Sequence, residues 1–97
     1  MSKFLLSAKA KSDLIKIAKY TQSTWGQAQR NDYLKILDSS FQLLADDPEI
    51  GMHCDYIREG YSKYPQASHV IYYKEYKNSQ IFIIRILHKS MDVNSAL

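Results

Sequence analysis

The sequence predicts an α+β fold in which a short N-terminal strand and an antiparallel two-helix hairpin pack on a mainly antiparallel sheet, in the order β-α-α-β-β-β. Three observations point there. As far as residue 47 the apolar positions recur at helical spacing. From Cys54 onward the period shortens to two, and six of the eight tyrosines fall between Tyr56 and Tyr76. Between these regimes lies DDPEIG, whose Pro48 and Gly51 stop a helix.

The first element is the apolar run KFLL, followed by Ser7, a good helix N-cap. Ala10, Leu14, Ile17, Ala18, Thr21 and Trp25 then share one side of a helix. The other side carries Lys9, Lys11, Lys16 and Lys19 against Asp13, the pattern of a solvated face. Gly26 interrupts this periodicity. A second helix runs from about Gln27 to Ala45, with Leu34, Leu37, Phe41 and Leu44 at spacings of three, four and three. So short a connection makes the two helices an antiparallel hairpin.

Three strands follow, near 57–64, 69–76 and 80–88, joined by YPQAS and by the tight turn KNSQ. With Asn78 and Ser79 as the loop residues, the register sets His69 opposite His88, Ile71 opposite Ile86, Tyr73 opposite Ile84 and Glu75 opposite Phe82. The other face carries Val70, Tyr72, Ile83, Arg85 and Leu87. One helical hairpin covers one face of a sheet, so the second apolar face is expected to receive a partner. The competing cover is the tail MDVNSAL, which is short and half polar.

At 97 residues the chain is read as one domain, 1–97, burying roughly 60 to 70% of its unfolded surface and leaving little room for a deep catalytic pocket. It is 45% hydrophobic and 24% charged with a net charge of +3, a folded and mildly basic protein. Cys54 is the only cysteine, which excludes an internal disulfide and the usual zinc arrangements. Neither a signal-peptide core nor a membrane-length apolar run is present, so a cytoplasmic location with no membrane contact is expected.

Constellations that carry chemistry are sparse. The three glycines are scattered, no His and Asp/Glu stand at metal spacing, and no nucleophile elbow occurs, so no cofactor or metal is expected. Asp55 beside Cys54 disfavours a thiolate. His69 and His88 form a cross-strand pair, but imidazoles at the rim of a core are more often packing residues than an acid/base couple. Arg85, with Lys89 extending its row, would meet phosphates, a partner's carboxylates, or a nearby acid such as Glu59 or Asp92. The tyrosine-rich strands offer rings on which bases stack, a weak signal alone because tyrosine is also an ordinary strand and interface residue.

Taken in order, AKSDLIKIAKYTQSTWG, QAQRNDYLKILDSSFQLLADDPEIG, IREGYSKYP, SHVIYY and RILHKSMD resemble the ParE toxins of bacterial type II toxin-antitoxin modules, within the ParE/RelE superfamily, over nearly the whole chain. The resemblance implies a RelE/ParE-like fold and a plasmid- or chromosome-borne toxin used in plasmid maintenance. It implies inhibition of DNA gyrase by stabilising the cleaved-DNA complex, through binding and without enzymatic activity. It further implies neutralisation by a ParD-type antitoxin, with DNA contacted only indirectly, through antitoxin or gyrase. On this reading Val70, Tyr72, Ile83, Arg85 and Leu87 form the antitoxin-binding face, and His88, Lys89 and Asp92 are candidate target contacts. The alternatives are a RelE-like ribosome-dependent mRNA endoribonuclease and a non-toxic nucleic-acid or protein-binding adaptor. A metal-free nuclease needs several cations and a proton carrier around the scissile phosphate, and the expected face is mostly apolar.

Overall fold

The computed structural model describes residues 3–77 and 80–97. Strand β1 (Phe4–Leu6) leads into helix α1 (Ala8–Trp25) and helix α2 (Gln27–Asp46), and a single 3₁₀ turn (Pro48–Ile50) follows. Strands β2 (Met52–His53), β3 (Tyr61–Gln66), β4 (His69–Tyr76) and β5 (Gln80–His88) come next, and a short helix α3 (Val93–Ala96) closes the chain. The strands form one sheet in the order β1-β5-β4-β3-β2, antiparallel throughout except that β1 runs parallel to β5.

Local chemistry explains the helical hairpin. The Ser7 hydroxyl accepts the Ala10 N–H at 2.9 Å and donates to the Ile84 carbonyl at 2.6 Å, so one residue caps α1 and fastens its start to β5. Gly26 alone separates the helices. It takes a φ of +95°, its N–H closes α1 on the Gln22 carbonyl, and its own carbonyl opens α2 by accepting from Arg30. From α1, Ala10 and Ile17 pack with Leu37, Phe41 and Leu44 of α2 onto Ile71, Tyr73, Ile81, Ile83 and Ile86 of the sheet. Phe4 and Phe41 meet with ring centroids 5.3 Å apart, joining β1 to α2.

The chain entering β2 is held by Tyr73. Its hydroxyl donates to the Pro48 carbonyl at 2.6 Å and accepts the Gly51 N–H at 3.0 Å. A Cβ at position 51 would run into that hydroxyl, so glycine is required for close approach.

Three features depart from the expected strands. β3 begins at Tyr61 and not near 57, because residues 54–60 form a loop closed by the Asp55 carboxylate, which accepts the Gly60 N–H at 2.7 Å. Pro65 and Gln66 belong to β3, leaving Ala67 and Ser68 as the turn into β4. The β4–β5 register holds at His69↔His88 and Ile71↔Ile86, then shifts between Tyr72 and Tyr73. Ile84 is the extra residue of a β-bulge, so Tyr73 faces Ile83 in place of Ile84, and Glu75 faces Ile81 in place of Phe82. The expected loop residues Asn78 and Ser79 lie outside the described residues.

The second face of the sheet is not bare. Tyr72 is 6% exposed and Leu87 2%, and together with Cys54 they form a second apolar cluster. Val93, Ala96 and Leu97 of the tail and Ile57 of the 54–60 loop pack over it. The tail therefore does what was expected of a partner. Asp92 enables this by capping α3, accepting from the Asn94 N–H and the Ser95 hydroxyl, which turns the chain back across β5.

Candidate functional site, a groove beneath the helical hairpin

β1 pairs with β5 only as far as Ile83, and Ser7 then turns the chain into α1. Beyond that point, among the described residues, no strand pairs with β5 on its outer side. Asp13, one turn into α1, fills the gap: its Oδ2 accepts the Ile86 N–H at 3.0 Å, the bond a longer β1 would have supplied. The same carboxylate takes a two-point contact from Arg85, Nε to Oδ2 at 2.8 Å and Nη2 to Oδ1 at 2.9 Å. Arg85 Nη1 donates to the Ala96 carbonyl at 2.6 Å, so this guanidinium links α1, β5 and α3. The paired carboxylate favours the charged guanidinium and raises its pKa above the ordinary arginine value.

Past Asp13 the tip of the hairpin stands away from the sheet and leaves a groove of about 850 Å³. Ile17, Thr21 and Ile86 lie along it, Tyr20 and Trp25 border it from α1, and Tyr33 and Ile36 from α2. The opposite side is made by Ala67, Ser68 and His69 at the β3–β4 turn, with His88 and Met91 beyond. Trp25 is 69% exposed and Tyr20 67%, with Ile36 and Met91 also exposed. Large apolar side chains presented to solvent around one depression mark an interaction surface.

At one end of the groove three rings meet. The Tyr33 hydroxyl lies 2.6 Å from His69 Nδ1 and 3.5 Å from the Gln66 carbonyl. The phenol and Nδ1 share one hydrogen bond, whose donor is set by the imidazole tautomer. His69 and His88 stand edge to face, centroids 5.5 Å apart. His88 Nδ1 is engaged by Ser90, through its N–H at 3.2 Å and its hydroxyl at 2.7 Å. Burial lowers the His69 pKa, the neighbouring His88 adds to the shift, and Asp13 opposes it. Burial likewise raises the Tyr33 phenol. Both shifts favour the neutral forms of His69 and Tyr33.

The residues expected to form one partner-binding face are divided among three environments. Tyr72 and Leu87 are interior to the second cluster, with Val70 partly buried against it. Ile83 lies on the helix side, fully buried in the main core, because the bulge at Ile84 reverses the alternation before it. Arg85 is on the expected strand face but spans the sheet edge to Asp13, and neither Glu59 nor Asp92 is its partner. Of the candidate target contacts, His88 reaches the groove, the Lys89 side chain is exposed, and Asp92 serves as the α3 cap. Burial pushes the Cys54 thiol pKa up, with Asp55 adding to the effect and Lys63 opposing it. Sequence reasoning missed Asp13 and Tyr33. Asp13 follows the buried Ala10 by three positions, and that spacing was the available signal.

The family described as ParE toxin of type II toxin-antitoxin system, parDE, matches residues 4–93. Toxin ParE1 of Mycobacterium tuberculosis (strain ATCC 25618 / H37Rv) is 38% identical over 96 residues, covering 99% of this chain and 98% of that protein. Toxin ParE1 of Caulobacter vibrioides is 34% identical over 97 residues, covering 100% and 99%. Among solved structures, a chain of the chromosomal ParDE TA system from P. aeruginosa superimposes with a TM-score of 0.75 at 17% identity, covering 91% of this chain and 96% of that one, which shows the same fold. The chain belongs to the ParE toxin family of type II toxin-antitoxin systems.

Proposed function

We propose that this toxin acts in the cytoplasm by binding DNA gyrase and stabilising the cleaved-DNA complex, and that a ParD-type antitoxin neutralises it by laying an apolar segment into the groove beneath the helical hairpin. Membership of the ParE family supports the toxin reading. The observation that carries the docking site is the exposed aromatic rim of Tyr20 and Trp25 over a depression with an apolar floor, the geometry that accepts an amphipathic segment.

A binding mode without RNA cleavage is favoured by the state of the cations. A metal-free ribonuclease needs several cations free to meet a phosphorane, whereas the Arg85 donors Nε, Nη1 and Nη2 are all directed at protein acceptors, which leaves Lys16 as the lysine lining the groove. The Tyr33, His69 and His88 cluster is the specific feature that keeps RNA cleavage as the second reading.

One paired assay separates the two. Purified protein added to a gyrase supercoiling reaction is expected to accumulate linear DNA, and to leave ribosome-bound messenger RNA intact. Codon-specific cuts in the RNA with unaffected supercoiling would reverse the assignment.

A further inference from the structure

The tail covers only part of the sheet face that points away from the helices. The part nearer the β4–β5 turn remains open, and strand alternation lines it with rings and ammonium groups. The register Tyr61↔Lys74, Lys74↔Phe82 and Phe82↔Leu5 makes one row across β3, β4, β5 and β1. Tyr76 lies in the next row toward the turn, its ring 5.6 Å from Phe82 and inclined to it by 32°. On the other side Lys63 donates to the Tyr56 hydroxyl at 2.9 Å.

Lys74 sits over a tyrosine ring at 6.0 Å from the Tyr61 centroid and Lys77 at 5.7 Å from that of Tyr76, while Lys63 lies beyond the Tyr56 hydroxyl, in line with the ring. Tyr56 is 75% exposed and Tyr76 41%. Glu75 faces the other way, opposite Ile81 of the main core, and the Asp55 carboxylate is engaged by the Gly60 N–H. Exposed π-faces alternating with cations on a sheet are the chemistry that holds an unpaired strand: bases stack on the rings while phosphates meet the ammonium groups. A lysine resting on a ring can swing to a phosphate when a base takes its place, because its stem is flexible and the exchange keeps both partners engaged.

We propose that the open face formed by Tyr56, Tyr61, Lys63, Lys74, Tyr76 and Phe82 binds single-stranded DNA. This goes beyond the indirect DNA contact expected from the sequence. The choice of DNA over RNA rests on the proposed action at gyrase-cleaved DNA; the binding chemistry itself does not.

The test is fluorescence anisotropy of the full chain with labelled oligo(dT), and with oligo(U) and a DNA duplex of equal length. Saturable oligo(dT) binding is expected, stronger than to either competitor, with a log–log salt slope of about −2 for three lysine contacts to single-stranded phosphates. Tyr56→Ala and Tyr76→Ala, at exposed rings, are each expected to weaken it by roughly fivefold or more with melting unchanged. Lys74→Gln is expected to weaken it and flatten the salt slope. Absence of binding, equal or tighter binding of oligo(U) or duplex, or binding that responds to the lysine but not the tyrosine changes would overturn the proposal. Gyrase is absent from this measurement, so a negative result leaves the gyrase reading standing, and a failed gyrase assay leaves the binding result standing.

Discussion

Asp13 closes the sheet edge that β1 leaves open, and it does so as a buried charge. Its carboxylate accepts from the Ile86 N–H and from two nitrogens of Arg85, so removing it strands both a guanidinium and a backbone donor. Asp13→Ala is expected to cost about 3–5 kcal/mol in denaturant unfolding, the usual penalty for leaving one member of a buried pair. The double change Asp13→Leu with Arg85→Met should recover much of that loss, because neither charge is then left alone. A loss below 1 kcal/mol for the single change would show that water replaces the carboxylate. In the sequence Asp13 stands among four lysines and reads as part of a solvated stripe. Its helical position and its partner 72 residues away settle its role, and only the folded chain shows the latter.

His69 carries the clearest pH dependence at this scale. Its folded pKa lies below the ordinary value of 6.5, first through burial and then through His88, with the Tyr33 hydroxyl of α2 at 2.6 Å from Nδ1 and Asp13 of α1 pulling the other way. The unfolded chain therefore takes up this proton first as pH falls. The contribution is fully present above about 6.5 and is lost as pH falls through the lower folded value. Melting temperature should drop between pH 7.5 and 5.5, and His69→Gln should flatten that drop. An unchanged pH profile in the variant would assign the dependence to other groups.

Among the elements, the tail and β5 hold the main lessons. α3 is a single capped turn, yet Val93, Ala96 and Leu97 lie on Tyr72 and Leu87, and the Ala96 carbonyl accepts from Arg85. Truncation after Met91 is expected to lower stability by about 2 kcal/mol, from partial burial of three apolar side chains, and to expose surface that binds a hydrophobic dye. Unchanged melting would mean that the second cluster is held by the 54–60 loop alone. The two long helices were legible because period and caps were strong: Ser7, Gly26 and the Leu37/Phe41/Leu44 stripe are all where the pattern puts them, whereas the two-residue β2 and the single turn α3 are too short to show a period. β5 was not. IFIIRIL is apolar nearly throughout, so it has no alternation to betray a bulge, and the one-residue slip at Ile84 moved Ile83 to the opposite face.

At the scale of the whole molecule, the surface left for partners follows from what the chain covers for itself. The sequence correctly called for one hairpin on one face, but tail coverage is a tertiary event that a half-polar heptapeptide does not announce. Tyr20, Trp25 and Ile36 were visible as large apolar residues. Trp25 shares one side of α1 with Ala10, Ile17 and Thr21, yet at the end of that helix it stands exposed on the border of the groove.

The division between a self-covered face and an open groove can be measured in one experiment, with melting and titration by a ParD-type antitoxin performed side by side on Trp25→Glu and Tyr72→Glu. Trp25→Glu is predicted to keep the melting temperature and lose roughly tenfold or more in affinity, as expected for an exposed aromatic anchor. Tyr72→Glu is predicted to lower the melting temperature sharply, because its side chain is enclosed by Cys54, Leu87 and the tail. Full affinity in Trp25→Glu, together with a stable Tyr72→Glu protein that no longer binds antitoxin, would contradict the account and return the partner to the back of the sheet.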